Sequence, residues 1–144
     1  MLLVIMGESC TGKSTLAEAV EKGIGGEIYS GKDYMRLAKS QGEAERLFIR
    51  KMEQAVNGSN LIFIVPEKEQ LCLVPDGAVR ILLTAQMDTI KERFKTRMHG
   101  MLPLPVAAML EKKHCCFDKE TADIRFESET LDIQKAVDEI RKIA

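Results

Sequence analysis

The sequence lacks the long hydrophobic runs that mark membrane proteins and secreted precursors. Uninterrupted apolar stretches such as residues 2–6 and 61–65 are far short of the ~20 residues that a membrane-spanning helix needs. No basic region precedes the first stretch and no small-residue cleavage site follows it, so the pattern is not that of a signal peptide. We therefore expect no transmembrane helix, no membrane partner and a cytoplasmic location.

An excess of charge of one sign is also missing. The chain has 21 Lys and Arg against 22 Asp and Glu, which leaves a formal net charge of −1. A protein that grips a nucleic-acid backbone needs a surplus of positive charge. We therefore expect no nucleic-acid partner, and any positively charged site must be confined to a small part of the surface.

Cysteine is scarce and is not spaced as in a disulfide framework. The four cysteines are Cys10, Cys72, Cys115 and Cys116, and two of them are adjacent, which is unlike the pattern of small secreted domains. His114 precedes the adjacent pair, but no second pair stands at the spacing that a zinc site requires. We expect reduced thiols and no structural metal site.

What the sequence does contain is a regular alternation of strand-like and helix-like segments. The 144 residues, 45% of them hydrophobic, suit a single domain that spans residues 1–144 and has one core. Apolar runs typical of strands lie at residues 2–6, 27–29, 61–65, 79–83 and 123–126. Because amphipathic stretches separate these runs, we predict a three-layer α/β/α fold with a five-stranded parallel sheet, and ligands at the carboxyl ends of the strands.

Two segments between the strands carry more specific signals. An apolar stripe after Asp33 indicates one helix of about twenty residues, which ends at Asn57 and Gly58. Prolines favour an extended segment at residues 101–105, and residues 106–113 are typical of a short helix.

The strongest chemical signal is a glycine-rich loop between the first strand and the first helix. Residues 7–14 read GESCTGKS and match the phosphate-binding pattern G-x-x-x-x-G-K-[ST] (the P-loop, or Walker A motif) without a gap. Glycines let successive backbone N–H groups point at a phosphate, and the helix that follows adds its positive end. The pattern therefore predicts ATP binding by Gly7, Glu8, Ser9, Cys10, Thr11, Gly12, Lys13 and Ser14.

The residues at the end of this loop have distinct expected roles. We expect Lys13 to reach the β- and γ-phosphates as a catalytic cation and Ser14 to bind Mg²⁺ through its hydroxyl. Thr15 is a further candidate phosphate contact. Cys10 is either a small residue that faces the loop or a redox-sensitive thiol, because a nearby helix N-terminus lowers a thiol pKa.

Beyond the loop, the chain resembles the nucleoside monophosphate kinases, and adenylate kinase in particular. Residues 30–40 read SGKDYMRLAKS and resemble the segment that receives the acceptor nucleotide in that family. The resemblance implies that Arg36 holds the acceptor's phosphate. In related small-metabolite kinases of the shikimate type, the counterpart of Asp33 orients the acceptor as a base, so the resemblance makes Asp33 a candidate catalytic and substrate-binding residue.

A second stretch of the resemblance follows the fourth strand. Residues 88–99 read DTIKERFKTRMH, and in the same kinases this helix carries two arginines, four residues apart, at the hinge of a lid. The resemblance implies that Arg93 packs on the donor adenine and that Arg97 reaches the transferring phosphates. Four residues are about one helical turn, which puts both on one face. Residues 98–119 then correspond to a short lid that excludes water.

The sequence departs from many P-loop enzymes at the end of the third strand. There an aspartate often supports Mg²⁺, whereas here Val65 is followed by Pro66 and Glu67. Glu67 and Asp33 are the first acidic residues after the third and second strands, so either is a candidate to support the metal.

The expected function is therefore an ATP- and Mg²⁺-dependent phosphotransferase. Its acceptor is a nucleoside monophosphate or a similar small molecule. The alternatives are a small-metabolite kinase of the shikimate or gluconate type, a regulatory ATPase without an acceptor, and a nucleotide-binding protein that has lost transfer. No [NT]-K-x-D or D-x-x-G motif supports a GTPase switch. Nothing in the sequence requires a second subunit, and a monomer fits it.

Overall fold

Five parallel strands form the centre of the fold, and the order of the strands puts the first one in the middle. The structure, a computed structural model, describes residues 1–143. The strands are β1 (Leu2–Gly7), β2 (Glu27–Ser30), β3 (Leu61–Val65), β4 (Val79–Thr84) and β5 (Ile124–Glu127). They lie in the order β2-β3-β1-β4-β5, and all neighbouring pairs are parallel. The predicted five-stranded parallel sheet is confirmed, and β5 forms one edge.

Helices cover both faces of this sheet. They are α1 (Lys13–Ile24), α2 (Gln41–Val56), α3 (Met87–Arg97), α4 (Leu104–Lys113) and α5 (Ile133–Ile143). Three short 3₁₀ helices lie at Asp33–Leu37, Lys68–Leu73 and Ser128–Thr130. None of the helices in the described part of the chain has the length and apolarity that crossing a bilayer demands.

The continuous apolar sequence of β1 is explained by burial on both sides. Successive side chains of a strand point to opposite faces. Val4 packs in the cluster that contains Phe48 and Met52 of α2, whereas Ile5 packs in the cluster that contains Leu16 of α1 and other residues of α1 and α5. No face of β1 is left for a polar residue.

The predicted helix after Asp33 is divided in two. A 3₁₀ helix over Asp33–Leu37 comes first, the backbone is extended at Ala38, and α2 begins at Gln41. The Ser40 hydroxyl accepts a hydrogen bond from the backbone N–H of Glu43 at 3.3 Å. Because serine at an N-cap satisfies a free N–H of the first turn, it starts a new helix here. The predicted end of the helix before Asn57 is confirmed.

The segment after α3 is anchored in its second half by buried side chains, whereas apolar side chains near its start are exposed. Leu110 of α4 packs with Ile90 of α3 and with Cys10 of the loop after β1, and Phe117 is buried against the α2 face of the sheet. Met101 and Leu104, by contrast, are 67% and 84% exposed. The segment therefore lies over the carboxyl end of β1.

Candidate functional site

The loop between β1 and α1 has a conformation that requires glycine at two positions. A Cβ on Gly7 would lie 2.5 Å from the carbonyl oxygen of Leu83 and 2.8 Å from Thr11 Oγ1, closer than side-chain atoms pack. Gly12, the residue before α1, has a φ of 91°, in the left-handed region that glycine favours. The loop wraps tightly at the carboxyl end of the central strand, and its last residues form the first turn of α1.

Inside the loop, one carbonyl group holds two side chains. The Glu8 carbonyl oxygen accepts a hydrogen bond from Thr11 Oγ1 at 2.8 Å and another from the Lys13 ammonium. Lys13 is 8% exposed. Burial lowers the pKa of Lys13 from 10.5 to about 8, an effect that the nearby groups Cys10 and Glu8 partly oppose and the Arg97 charge reinforces. Lys13 is thus a desolvated cation that lacks an anionic partner within the described residues.

A cleft of about 350 Å³ opens on one side of the loop. Arg93 of α3 crosses its floor, because Arg93 Nη1 donates to the carbonyl oxygen of Cys10 at 3.0 Å and to Ser128 Oγ at 2.6 Å. The cleft is lined by Cys10, Thr11, Gly12, Thr15, Arg93, Arg97, Ser128, Leu131 and Ile133. Its lining therefore includes two cationic side chains, Arg93 and Arg97, and two apolar ones, Leu131 and Ile133.

A second cleft, of about 230 Å³, lies directly over the loop. It is lined by Ser9, Cys10, Gly12, Lys13, Ser14, Thr15, Ser30, Ile64, Pro66 and Arg97. Four residues line both clefts, namely Cys10, Gly12, Thr15 and Arg97, so the two spaces adjoin. No described side chain forms an ion pair with Arg97, which leaves its charge directed at the cleft.

The structure brings some of the predicted site residues together and leaves others apart. Ser14, Thr15, Arg93 and Arg97 meet Lys13 around these clefts, as the sequence predicted for residues of one site. The roles assigned to the individual residues stay predictions.

The predicted acceptor residues are placed elsewhere. Arg36 is exposed and its guanidinium lies 4.8 Å from the centre of the Tyr29 ring. Asp33 Oδ2 accepts a hydrogen bond from the backbone N–H of Ser30 at 2.9 Å, which holds the turn after β2. Neither residue lines either cleft.

A third, more enclosed recess of about 80 Å³ contains the predicted metal-supporting residue Glu67. It is lined by Glu8, Ser9, Pro66, Glu67, Ile90, Met109, Leu110, Lys113 and Cys116. At its edge His114 Nδ1 donates to Glu8 Oε1 at 3.0 Å. Glu8, expected only to contribute its backbone to the loop, thus also has a buried, hydrogen-bonded carboxylate.

Sequence reasoning missed several residues of these spaces. Ser128, Leu131 and Ile133 follow β5, and their place after the carboxyl end of a strand is a signal that could have found them. Lys113, His114 and Cys116 carry no such signal, because they reach the loop only through the packing of α4. Among the described residues no group of three His, Cys, Asp or Glu side chains is arranged to hold a metal.

Comparisons with known proteins agree with this geometry. No protein-family model matches the chain, and no curated protein matches it. Solved structures do: a sugar kinase from a Janibacter species has a TM-score of 0.64 and 16% identity, over 98% of this chain and 92% of that one. The chain has the P-loop kinase fold.

Two further structures extend this fold across different kinases. Shikimate kinase from Aquifex aeolicus has a TM-score of 0.56 and 15% identity, over 99% of this chain and 94% of that one. Deoxyadenosine kinase from M. mycoides has a TM-score of 0.56 and 19% identity, over 99% of this chain and 98% of that one. The P-loop kinase fold therefore covers nearly the whole chain.

Proposed function

We propose that this protein is an ATP-dependent phosphotransferase that moves the γ-phosphoryl group of ATP-Mg²⁺ to a small acceptor. The observation that carries the proposal is the meeting of Lys13, Arg93 and Arg97 around two adjoining clefts at the glycine-rich loop. Phosphoryl transfer needs positioning and positive charge around the migrating group rather than covalent chemistry from the protein. Lys13 and Arg97 supply that charge, and Arg93 is placed for the nucleoside.

The larger cleft suits the nucleoside half of ATP. Its volume of about 350 Å³ lies within the ~300–1,000 Å³ range of small-molecule sites. Arg93 offers the nucleoside a planar cation, and Leu131 and Ile133 offer it apolar surface. Guanidinium groups stack well on aromatic rings, so these residues suit an adenine.

The smaller cleft suits the phosphates. Lys13 is buried and its pKa is lowered to about 8 chiefly by burial, which means that a phosphate anion placed beside it would relieve an unpaired charge. When ATP binds, the Lys13 ammonium exchanges the Glu8 carbonyl for phosphate oxygens. Gly12 and the N-terminus of α1 add backbone N–H donors.

The residues present also fit a magnesium ion. Mg²⁺ is usually held by one or two protein oxygens together with phosphate and water, and the exposed Ser14 hydroxyl lines the phosphate cleft. Glu67 or Asp33 would support it through water. When bound, the ion neutralises charge on the phosphates and holds them in one orientation.

In the transfer, the acceptor's hydroxyl oxygen forms a bond to the γ-phosphorus. The bond from that phosphorus to the bridging oxygen breaks, its electron pair leaves with ADP, and the hydroxyl proton passes to a carboxylate. Arg97, which lines both clefts, is placed to hold the migrating group. We propose that residues 98–119 act as a lid within a single domain. Its apolar side chains Met101 and Leu104 are exposed, and closure of the lid would cover them.

Two acceptor classes follow from the sequence, a nucleoside monophosphate or a small metabolite such as shikimate or gluconate. The position of Arg36 favours the second, because its guanidinium lies over Tyr29 and lines neither cleft. The shikimate and sugar kinases that share the fold act on small hydroxylated molecules. The sequence alone favoured a nucleoside monophosphate, whereas with the structure we favour a small metabolite as the acceptor.

A coupled ADP-release assay tests the proposal. Nucleoside monophosphates, shikimate, gluconate and simple alcohols would be offered with ATP-Mg²⁺, beside a blank without acceptor and the Lys13→Ala variant. We expect release with at least one acceptor that Lys13→Ala abolishes. Release that is independent of any acceptor would instead indicate a regulatory ATPase. ATP binding without any release would indicate a protein that has lost transfer.

A further inference from the structure

The three spaces around the loop lie in a definite order. The larger cleft, proposed for the nucleoside, and the smaller cleft, proposed for the phosphates, share Cys10, Gly12, Thr15 and Arg97. The smaller cleft and the recess share Ser9 and Pro66. The larger cleft and the recess have no lining residue in common, so the recess adjoins the smaller cleft only. In phosphoryl transfer the acceptor attacks from the side opposite the leaving group, so a space that borders the phosphates but not the nucleoside is a candidate acceptor site.

The recess carries a largely buried carboxylate with one hydrogen-bond partner in the described chain. Glu8 is 9% exposed, and His114 Nδ1 donates to its Oε1 at 3.0 Å. No other described group donates to this carboxylate, so only Oε1 has a protein partner. Because Oε2 is not fully buried, it is able to accept a hydrogen bond from an acceptor hydroxyl placed in the recess.

The charge of the recess discriminates between acceptor classes. Two of its lining residues, Glu8 and Glu67, are acidic, one, Lys113, is basic, and no arginine lines it. An anionic acceptor would be repelled by the buried Glu8 carboxylate at close range. Its volume of about 80 Å³ is far below the ~300 Å³ at which sites for whole small molecules begin. A hydroxyl-bearing end of a small molecule fits, whereas a nucleotide does not.

We propose that the acceptor is a small uncharged polyhydroxy compound and that Glu8 binds the hydroxyl which receives the phosphoryl group. This inference rests on the proposed function and narrows its acceptor. Glu8 Oε2 accepts a hydrogen bond from the attacking hydroxyl. As the new bond from oxygen to phosphorus forms and ADP departs with the electron pair of the broken bond, the hydroxyl proton passes to Glu8 and then to solvent. Lys113 and His114 close the recess from the side of α4.

The test compares acceptor classes and then changes the charge at Glu8. ADP release would be measured with uncharged polyols and sugars, and with the matched acids shikimate, gluconate and nucleoside monophosphates. We expect the wild-type protein to prefer the uncharged group. In Glu8→Gln, kcat/KM for the uncharged acceptor should fall about ten- to a hundredfold, the loss expected for a hydrogen bond to a charged group. The ratio of kcat/KM for an anionic acceptor to kcat/KM for an uncharged acceptor should rise, an effect that a merely structural role would not produce.

Two measurements separate failure of this inference from failure of the proposed function. ATP titration of the wild type and of Lys13→Ala tests nucleotide binding alone, and equal affinities would refute the function itself. The matched control is Glu18→Gln, because Glu18 is an exposed glutamate on α1. If Glu8→Gln fails to fold, the acceptor preference of the wild type still tests whether the acceptor is uncharged. Preference for an anionic acceptor, turnover with no uncharged acceptor, or equal loss in Glu18→Gln would each overturn the inference.

Discussion

Lys13 is expected to make the free protein less stable, although we propose that it binds the nucleotide's phosphates. The residue is 8% exposed, and burial lowers its pKa from 10.5 to about 8. The folded state therefore binds its proton more weakly than the unfolded chain does. Replacing Lys13 by Met keeps a chain of similar length and removes the charge that has to be buried.

The size of the effect follows from the shift in pKa. A shift from 10.5 to about 8 corresponds to about 3 kcal/mol at pH values below 8, since each unit is worth ~1.4 kcal/mol. The variant loses the hydrogen bond from the ammonium to the Glu8 carbonyl, worth ~1 kcal/mol, although Thr11 still donates to that carbonyl. We expect Lys13→Met to raise the free energy of unfolding by about 2 kcal/mol at pH 7, and the melting temperature by roughly 4–8 °C.

The sign of the pH dependence is distinctive. A depressed lysine pKa destabilises the fold below pH 8, and the cost disappears as pH rises from 8 to 10.5, because the unfolded chain then loses the same proton. We therefore compare the free energies of unfolding of the wild type and Lys13→Met in urea from pH 6 to pH 10. The difference between the two, the stability gap, should narrow above pH 8. Lys39→Met, at an exposed lysine, is the control and should show no such gap.

If Lys13→Met is less stable than the wild type at pH 7, or if the gap does not change between pH 8 and pH 10, Lys13 does not carry the expected cost of burial. A second readout uses ATP. Phosphates beside Lys13 raise its pKa again, so ATP binding near pH 9 should take up a proton. Calorimetry in two buffers of different ionisation enthalpy measures this uptake, which Lys13→Met should abolish together with tight ATP binding.

The remaining predictions concern the residues around the loop. Arg97→Ala should lower kcat far more than it weakens ATP binding, and Arg97→Lys should restore only part of the loss, because a planar group suits phosphate oxygens; steady-state kinetics in which both behave like wild type would contradict this. Arg93→Ala should mainly weaken ATP binding, and an unchanged affinity by titration would show that it does not contact the nucleoside. Gly7→Ala should destabilise the fold by about 2 kcal/mol or more, because its Cβ meets the Leu83 carbonyl at 2.5 Å; an unchanged urea midpoint would be the contrary result. Either Asp33→Asn or Glu67→Gln should raise the Mg²⁺ concentration needed for half-maximal rate, and if neither does, both metal assignments fail.

The resemblance to adenylate kinase was informative for some residues and incomplete for others. Arg93 and Arg97 meet at the loop because both depend on the position of one helix, α3, which follows β4 directly. Arg36 depends on a turn whose conformation is non-local. Gly31, in that turn, has a φ of 57° and donates to the Ile64 carbonyl on β3 at 2.9 Å. A single helix was expected where Ser40 starts a new one, and Arg36 lies in the 3₁₀ helix before that break. Its proposed role stays a prediction.

The sequence by itself determined the phosphate-binding loop, the five strands and the alternation with helices. Each of these is encoded by residues that are close together in the chain: a motif of fixed spacing, apolar runs of strand length, and stripes of helical period. Such signals need no knowledge of what lies across the molecule. The same is true of Gly12, whose left-handed backbone is a property of the motif.

Only the tertiary structure decided how distant segments complete the site. Ser128 fixes Arg93 across 35 positions of the chain, and His114 reaches the Glu8 carboxylate across 106. Those contacts depend on how α3, α4 and the residues after β5 pack around the carboxyl end of β1. Neither periodicity nor motif spacing encodes such packing, because it is set by the complementary shapes and burial of side chains that meet only in the folded chain.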